Sequence, residues 1–103
     1  MVKKIIWSTR ASDDRDEILN YWFHRNKSKS YSDKLDRIFN HEIDSIKNHP
    51  QVFVKTDIKS IGARIVGNYL ILFTEMSTTI DILAIWDGRR NPKSLKQHLR
   101  TKK

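Results

Sequence analysis

The first 25 or so residues of the chain predict a short strand followed by an amphipathic helix. Residues 3–7 are rich in β-branched and aromatic side chains, which predicts a strand. Ser8 and Thr9 follow with hydroxyl groups that can cap a helix. Apolar residues then recur at intervals that predict an amphipathic helix, with its core face formed by Ala11, Ile18, Leu19, Trp22 and Phe23.

A second helix is predicted after a polar break at residues 26–30. Ser30 and Asp33 have the spacing of a capping pair. The apolar face of this helix consists of Leu35, Ile38, Phe39, Ile43 and Ile46. Pro50 ends the helix, because proline disfavours helical geometry in the residue before it.

Beyond Pro50 the apolar residues form short runs separated by polar turns. Three strands are predicted as an antiparallel meander, at residues 63–66, 69–75 and 78–86. Residues 52–59 are expected to form a loop or an edge strand. On the last strand, strict alternation predicts one common face for Ile80, Ile82, Ala84 and Trp86.

The predicted fold class is α+β, in the order β-α-α-β-β-β. A small antiparallel sheet is expected to pack against a helical hairpin, since each layer has one apolar face to bury. Pro92 is placed to open a short C-terminal basic helix or tail that contains Leu95 and Leu99.

Composition narrows the class of protein. The 103 residues suit one domain spanning residues 1–103, because much smaller cores seldom stabilise themselves. Cysteine is absent, which excludes disulfides and thiolate metal sites. No apolar run reaches the length of a signal-peptide core or a membrane span. We therefore expect a cytoplasmic protein with no membrane partner.

The charge is basic and unevenly distributed, with a net charge of +8. Lysines and arginines outnumber acidic residues by 10 to 8 in residues 1–50 and by 10 to 4 in residues 51–103. The excess in the second half favours a polyanionic partner, either a nucleic acid or an acidic protein.

Common catalytic motifs are absent, which leaves a basic group as the candidate site. The glycines are isolated and the histidines are far apart, so we expect no phosphate-binding loop, no metal and no cofactor. The basic group consists of Lys55, Lys59, Arg64, Arg89 and Arg90. Arginines brought together by the meander could hold phosphate oxygens and stabilise a pentacovalent phosphate. A solvated basic edge that discourages aggregation explains the same residues equally well.

Five segments carry a resemblance to a known family: residues 6–8, Ala11, Pro50, residues 63–71 and residues 82–92. In this order and spacing they resemble the RelE/ParE superfamily of toxins from type II toxin–antitoxin systems, also called plasmid stabilisation systems. The similarity covers about the whole chain. It implies a compact sheet on a helical hairpin, and a cognate acidic antitoxin that wraps the toxin.

The resemblance also implies one of two modes of growth arrest. ParE-like members poison DNA gyrase, whereas RelE-like members act as mRNA interferases that cut messenger RNA on the ribosome. In the RelE-like mode the catalytic candidates are Arg64, Arg90, Lys55 and Lys59. The candidate binding residues in either mode are Arg64, Arg89, Arg90, Tyr69 and Trp86.

The two modes are weighed almost equally, with a slight preference for the gyrase mode because residues 67–71 and the turn at residues 88–90 resemble the ParE-like members. RelE-like enzymes carry a tyrosine or histidine shortly after the last arginine, but residues 91–97 contain neither and His98 lies further along. Cleavage by a ribose 2′-hydroxyl needs groups that move protons, and arginines alone suit binding better. Tyr69 and Trp86 could stack on a base, but packing is the expected role for both.

Two alternatives without toxicity stay open. The chain could be a basic nucleic-acid-binding module, or a decayed toxin that retains only antitoxin binding. An antitoxin is expected to dock on the basic sheet edge and the exposed side of the hairpin, where Tyr21, Tyr31 and Phe53 lie outside the core stripes.

Overall fold

The computed structural model describes residues 3–90 and 93–100. Within these ranges the elements follow one another in the order β1 (Lys4–Trp7), α1 (Thr9–Asn26), α2 (Lys29–Asn48), β2 (Val54–Lys55), β3 (Gly62–Val66), β4 (Tyr69–Glu75), β5 (Thr79–Asp87) and α3 (Lys93–Arg100). The predicted α+β class and the helical hairpin are confirmed. The segment predicted as a loop or edge strand contributes β2, and Pro92, predicted to open the last helix, lies outside the described residues.

The first helix begins as the sequence predicts, whereas the second begins earlier. The Ser8 hydroxyl accepts a hydrogen bond from the Ala11 amide at 2.9 Å and caps α1. Ser28, rather than Ser30, caps α2, and its hydroxyl accepts from the Ser30 amide at 3.1 Å. Lys27 makes the short connection possible by adopting the left-handed conformation, with φ of 51°.

The sheet is mixed, in the strand order β1-β5-β4-β3-β2. The predicted antiparallel meander forms β3, β4 and β5, and Gly67 turns between the first two with φ of 58°. β1 adds to the edge and pairs parallel to β5, since the chain returns through the hairpin before it enters the sheet again. The sequence had predicted a wholly antiparallel sheet, but the pairing of β1 with β5 makes the sheet mixed.

A β-bulge changes which residues of β5 share a face. Phe73 pairs with Ile82 and Leu72 with Ala84, so Leu83 is an extra residue in the ladder. Ile80 and Ile82 therefore pack with Ile85 beneath the hairpin, while Ala84 and Trp86 pack on the opposite face. The prediction of one common face for all four alternating residues was wrong, because it assumed strict alternation.

The two faces of the sheet carry separate apolar clusters. The larger cluster lies between the sheet and the helical hairpin and includes Ala11, Leu35, Phe39, Ile43 and Ile46 from the helices. The smaller cluster lies on the other face and includes Ala84 and Trp86, and Leu95 and Leu99 of α3 pack against this cluster. Phe23 was predicted in the core but is exposed, because it lies about 100° around the helix from Trp22.

None of the helices in the described ranges combines the length and the apolar character that crossing a membrane requires. Although α2 has 20 residues, it is amphipathic and carries charged side chains along its outer face.

Candidate functional site

A groove of about 310 Å³ lies between α1 and the ends of β4 and β5. Its walls combine acidic, basic and aromatic side chains, from Asp14, Glu17, Ile18, Tyr21, Tyr69, Ile85, Asp87, Arg89 and Arg90. Three of the predicted binding residues, Tyr69, Arg89 and Arg90, therefore meet at one place. The adjacency of a helix and a strand end that are some 70 residues apart in sequence creates this site.

The turn after β5 holds its two arginines in a fixed arrangement. Asp87 accepts hydrogen bonds from the Arg89 amide at 2.9 Å and from its guanidinium at 2.8 and 3.0 Å. The Gly88 amide donates to the Asn68 carbonyl at 2.7 Å, and a Cβ at Gly88 would lie 3.1 Å from that oxygen. Glycine is thus the residue that permits the close approach of the two turns.

The contact between Asp87 and Arg89 also sets their protonation. The hydrogen bond from the Arg89 side chain is the main cause that holds the pKa of Asp87 below its ordinary value of 3.8, against the opposing effect of burial. The same hydrogen bond raises the pKa of Arg89. At neutral pH the turn therefore presents one arginine neutralised by its own carboxylate.

Arg90 is the cation that remains available at the groove. Its guanidinium lies 4.4 Å from the centroid of the Trp86 ring, a cation–π distance. It forms no salt bridge within the described residues. Trp86 is 2% exposed, so it is the platform beneath Arg90 and has no open face for a base.

Tyr69 is also a wall of the groove rather than a free stacking surface. The ring is buried against Phe39, with centroids 5.8 Å apart. Its hydroxyl accepts a hydrogen bond from the Trp22 indole at 2.9 Å. The expectation that Tyr69 and Trp86 serve in packing agrees with both environments.

Asp14 is a buried carboxylate in the wall of the groove that the sequence did not reveal. Clustered acidic residues at a helix start suggest solvation and dipole compensation, but Asp14 is 4% exposed. Its carboxylate accepts a hydrogen bond from the Ile85 amide at 3.0 Å. β1 pairs only with residues 79–82 of β5, so it offers no acceptor to the Ile85 amide. The Asp14 carboxylate provides that acceptor instead.

His98 connects α3 to the same carboxylate. Its Nε2 lies 3.0 and 3.1 Å from the two Asp14 oxygens, and its ring centroid is 5.1 Å from that of Trp86. Sequence distance placed His98 too far beyond Arg90 to join the site. The helical geometry of α3 brings it back to the tryptophan that Arg90 covers.

Arg64 belongs to a different set of contacts. Its Nε donates to Glu42 at 2.8 Å, its Nη1 donates to the His49 and Val52 carbonyls at 3.3 and 3.1 Å, and its Nη2 donates to the Ser45 hydroxyl. These partners lie at the end of α2 and in the segment that follows it. Arg64 thus fastens β3 to the hairpin, and its guanidinium is occupied.

Lys55 and Lys59 line a second cavity of about 520 Å³ beside β2 and β3. This cavity is bordered by apolar side chains such as Phe53 and Phe73 and does not include the arginines. The four residues expected to act together in cleavage are therefore distributed over three environments. Among residues 3–90 and 93–100 no group of three or more side chains has the composition of a metal site.

Comparisons with known proteins give one family and one fold. Residues 5–92 match the family model described as the ParE toxin of the type II toxin–antitoxin system parDE. The structure resembles a solved chain titled "Chromosomal ParDE TA system from P. aeruginosa", with a TM-score of 0.74 and 13% sequence identity. The match covers 84% of this chain and 96% of that one, and it shows a common fold. No curated protein matches the sequence.

Proposed function

Since the chain belongs to the family of ParE toxins of type II toxin–antitoxin systems, we propose that it arrests growth by acting on DNA gyrase. The groove beside the Arg89–Arg90 turn is the proposed contact with that target. The observation that carries this choice is the separation of the basic residues, which leaves a binding surface without an assembled set of groups for cleavage.

The chemistry of the groove suits binding. Arg90 offers a cation held over an aromatic ring, and Tyr21 adds an exposed aromatic side chain on the opposite wall. Arginine and tyrosine are enriched where protein interfaces gain most of their affinity. Glu17, on the α1 wall of the groove, supplies an acceptor that a protein partner's donors would need.

A cognate acidic antitoxin is the proposed neutralising partner. The net charge of +8 attracts an acidic chain and speeds its association. Tyr21, Tyr31 and Phe53, expected from the sequence to contact the antitoxin, are all exposed. An extended acidic segment that covers the groove would also block the proposed contact with gyrase.

Ribosome-dependent cleavage of messenger RNA is the second candidate, favoured by one observation. His98 and Arg90 both contact the Trp86 ring, so a histidine does lie near the last arginine of the turn. However, its Nε2 faces the Asp14 carboxylate, while Lys55 and Lys59 lie at another cavity. A proton-transfer role for His98 would require α3 to release it.

The deciding experiment is induction of the gene in a bacterial host without antitoxin, with labelled thymidine and labelled amino acid followed over the first minutes. Thymidine incorporation is expected to stop first. If amino-acid incorporation stops first, the ribosome is the target and the gyrase proposal fails. If neither stops and growth continues, the chain is a decayed toxin or a binding module without toxicity.

A further inference from the structure

The turn between α1 and α2 presents aromatic rings that the hydrophobic core does not absorb. Trp22 is packed from one side, and the rings of Tyr21 and Tyr31 stand edge-on to it with centroids at 5.1 and 4.9 Å. The Trp22 indole is fixed by its hydrogen bond to Tyr69. Tyr21 and Tyr31 are 54% and 38% exposed, so each keeps part of its ring open to solvent.

The same turn is rich in cations. Residues 20–34 contain four lysines and arginines, namely Arg25, Lys27, Lys29 and Lys34, but one acidic residue, Asp33. All four cations are exposed, and none forms a salt bridge in the described part of the chain. The Arg25 guanidinium lies 6.0 Å from the Trp22 ring centroid, at the edge of cation–π range.

The rings and the cations form one surface at the turn of the helical hairpin. We call it the hairpin-turn surface, and it consists of Tyr21, Trp22, Arg25, Lys27, Lys29 and Tyr31. Tyr21 and Arg25 are one helical turn apart and share a face of α1. Lys27 in the left-handed conformation and the Ser28 cap fix where the second helix starts. Tyr21 also lines the groove beside Arg89 and Arg90, so the surface is continuous with that groove.

We propose that the hairpin-turn surface binds single-stranded nucleic acid, with its backbone on Arg25, Lys27 and Lys29 and unpaired bases against Tyr21 and Tyr31. Base–aromatic stacking alongside a basic track is how proteins hold single strands without reading their sequence. The carboxylates of an acidic peptide would use the cations alone, whereas a single strand engages the cations and the rings together. The antitoxin, which is also expected to reach Tyr21 and Tyr31, would compete with the strand for this surface. The proposal goes beyond the toxin's action on gyrase and beyond its antitoxin.

The test measures binding of the purified full-length chain to a fluorescein-labelled oligothymidylate of roughly 12 nucleotides. Fluorescence anisotropy is recorded at several salt concentrations. The double variant Lys27→Gln/Lys29→Gln is expected to flatten the slope of log affinity against log salt by about 1.4, because each single-strand phosphate contact contributes roughly 0.7. The control Lys55→Gln/Lys59→Gln removes the same charge at the second cavity and is expected to leave the slope unchanged.

The aromatic component is tested separately. Tyr21→Ala is expected to weaken binding about fivefold or more, which is the lower end of the loss of one stacked base. Tyr21→Phe keeps the ring and is expected to bind as the wild type does. Phe53→Ala removes an exposed ring elsewhere and is the matched control, with thermal unfolding showing that every variant folds.

The proposal would be overturned by no binding at low salt, by equal losses in the variants and their controls, or by equal binding of a duplex with no dependence on Tyr21. Displacement of the oligonucleotide by polyglutamate as readily as by unlabelled oligothymidylate would assign the surface to an acidic protein instead. None of these results bears on thymidine incorporation in cells, so failure here and failure of the gyrase proposal are distinguishable.

Discussion

Arg64 and Arg90 are the same residue type in the same half of the chain, but they occupy opposite environments. Arg64 lies between β3 and α2 and directs its guanidinium to one carboxylate, one hydroxyl and two carbonyls. Arg90 follows β5, lies over the Trp86 ring and forms no salt bridge among the described residues. An arginine whose donors are occupied within the fold stabilises it, whereas one that keeps its donors open is available to a partner.

Arg64→Ala is expected to produce the largest loss of stability, about 3 kcal/mol. It leaves Glu42 without its cation, and it removes one donor each from the Val52 carbonyl and from the His49 carbonyl, which keeps the Val52 amide. Urea unfolding of the purified variant measures this loss. Arg64→Lys should restore only part of it, since one ammonium cannot reproduce the planar array of donors. A change below about 0.5 kcal/mol, as at an ordinary surface site, would mean that Arg64 is not structural.

Asp14→Ala is expected to cost somewhat less, about 2 kcal/mol. The buried Ile85 amide would lose its acceptor and His98 would lose the carboxylate that holds α3. Asp87→Ala is the matched control on the surface of the same groove and should cost much less. Equal losses for the two carboxylates, measured by thermal unfolding, would contradict the distinction between a buried anchor and a surface turn.

Arg90→Ala is expected to change stability little, by about 0.5 kcal/mol from the exposed cation–π contact. Its effect should appear in function: Arg90→Glu is predicted to slow association with the antitoxin and to make the association rate less dependent on salt. Binding kinetics at two salt concentrations measure this change. Unaltered association would exclude the Arg89–Arg90 turn from the docking surface.

The smallest expected effect concerns the Asp87–Arg89 contact. The folded-state pKa of Asp87 is lowered, so the contact contributes its stability above pH 3.8 and loses it as the pH falls through the lower folded value. Asp87→Asn should therefore differ slightly from the wild type at neutral pH and approach it in acid. If the difference in stability between Asp87→Asn and the wild type grew as the pH fell, the proposed stabilising role of the ionised Asp87 would be contradicted.

Periodicity and turn residues are local properties, and they were sufficient to predict the helical hairpin, β4 and the Ser8 cap. The bulge at Leu83 was not predictable, because no residue type in β5 marks its position. The inserted residue moves every later side chain of the strand to the opposite face of the sheet. The sequence therefore located the elements but misassigned the two faces of β5.

The candidate site depended even more on contacts between distant segments. Arg64 is paired with Glu42, which lies 22 residues earlier, and Asp14 bonds Ile85 across 71 residues. Local patterns identified the arginines as a group. They could not show which guanidinium groups have their donors bonded to other parts of the fold. The Arg89–Arg90 turn was within reach of the sequence because its partner Asp87 is only two residues away.

The most direct test of the central claim uses purified chain and purified DNA gyrase in ATP-dependent supercoiling of a relaxed plasmid. The wild type is predicted to inhibit supercoiling or to trap cleaved DNA, Arg89→Ala/Arg90→Ala to lose most of this effect, and Lys55→Ala/Lys59→Ala to retain it. Gyrase that supercoils normally in the presence of excess folded wild-type chain would contradict the account.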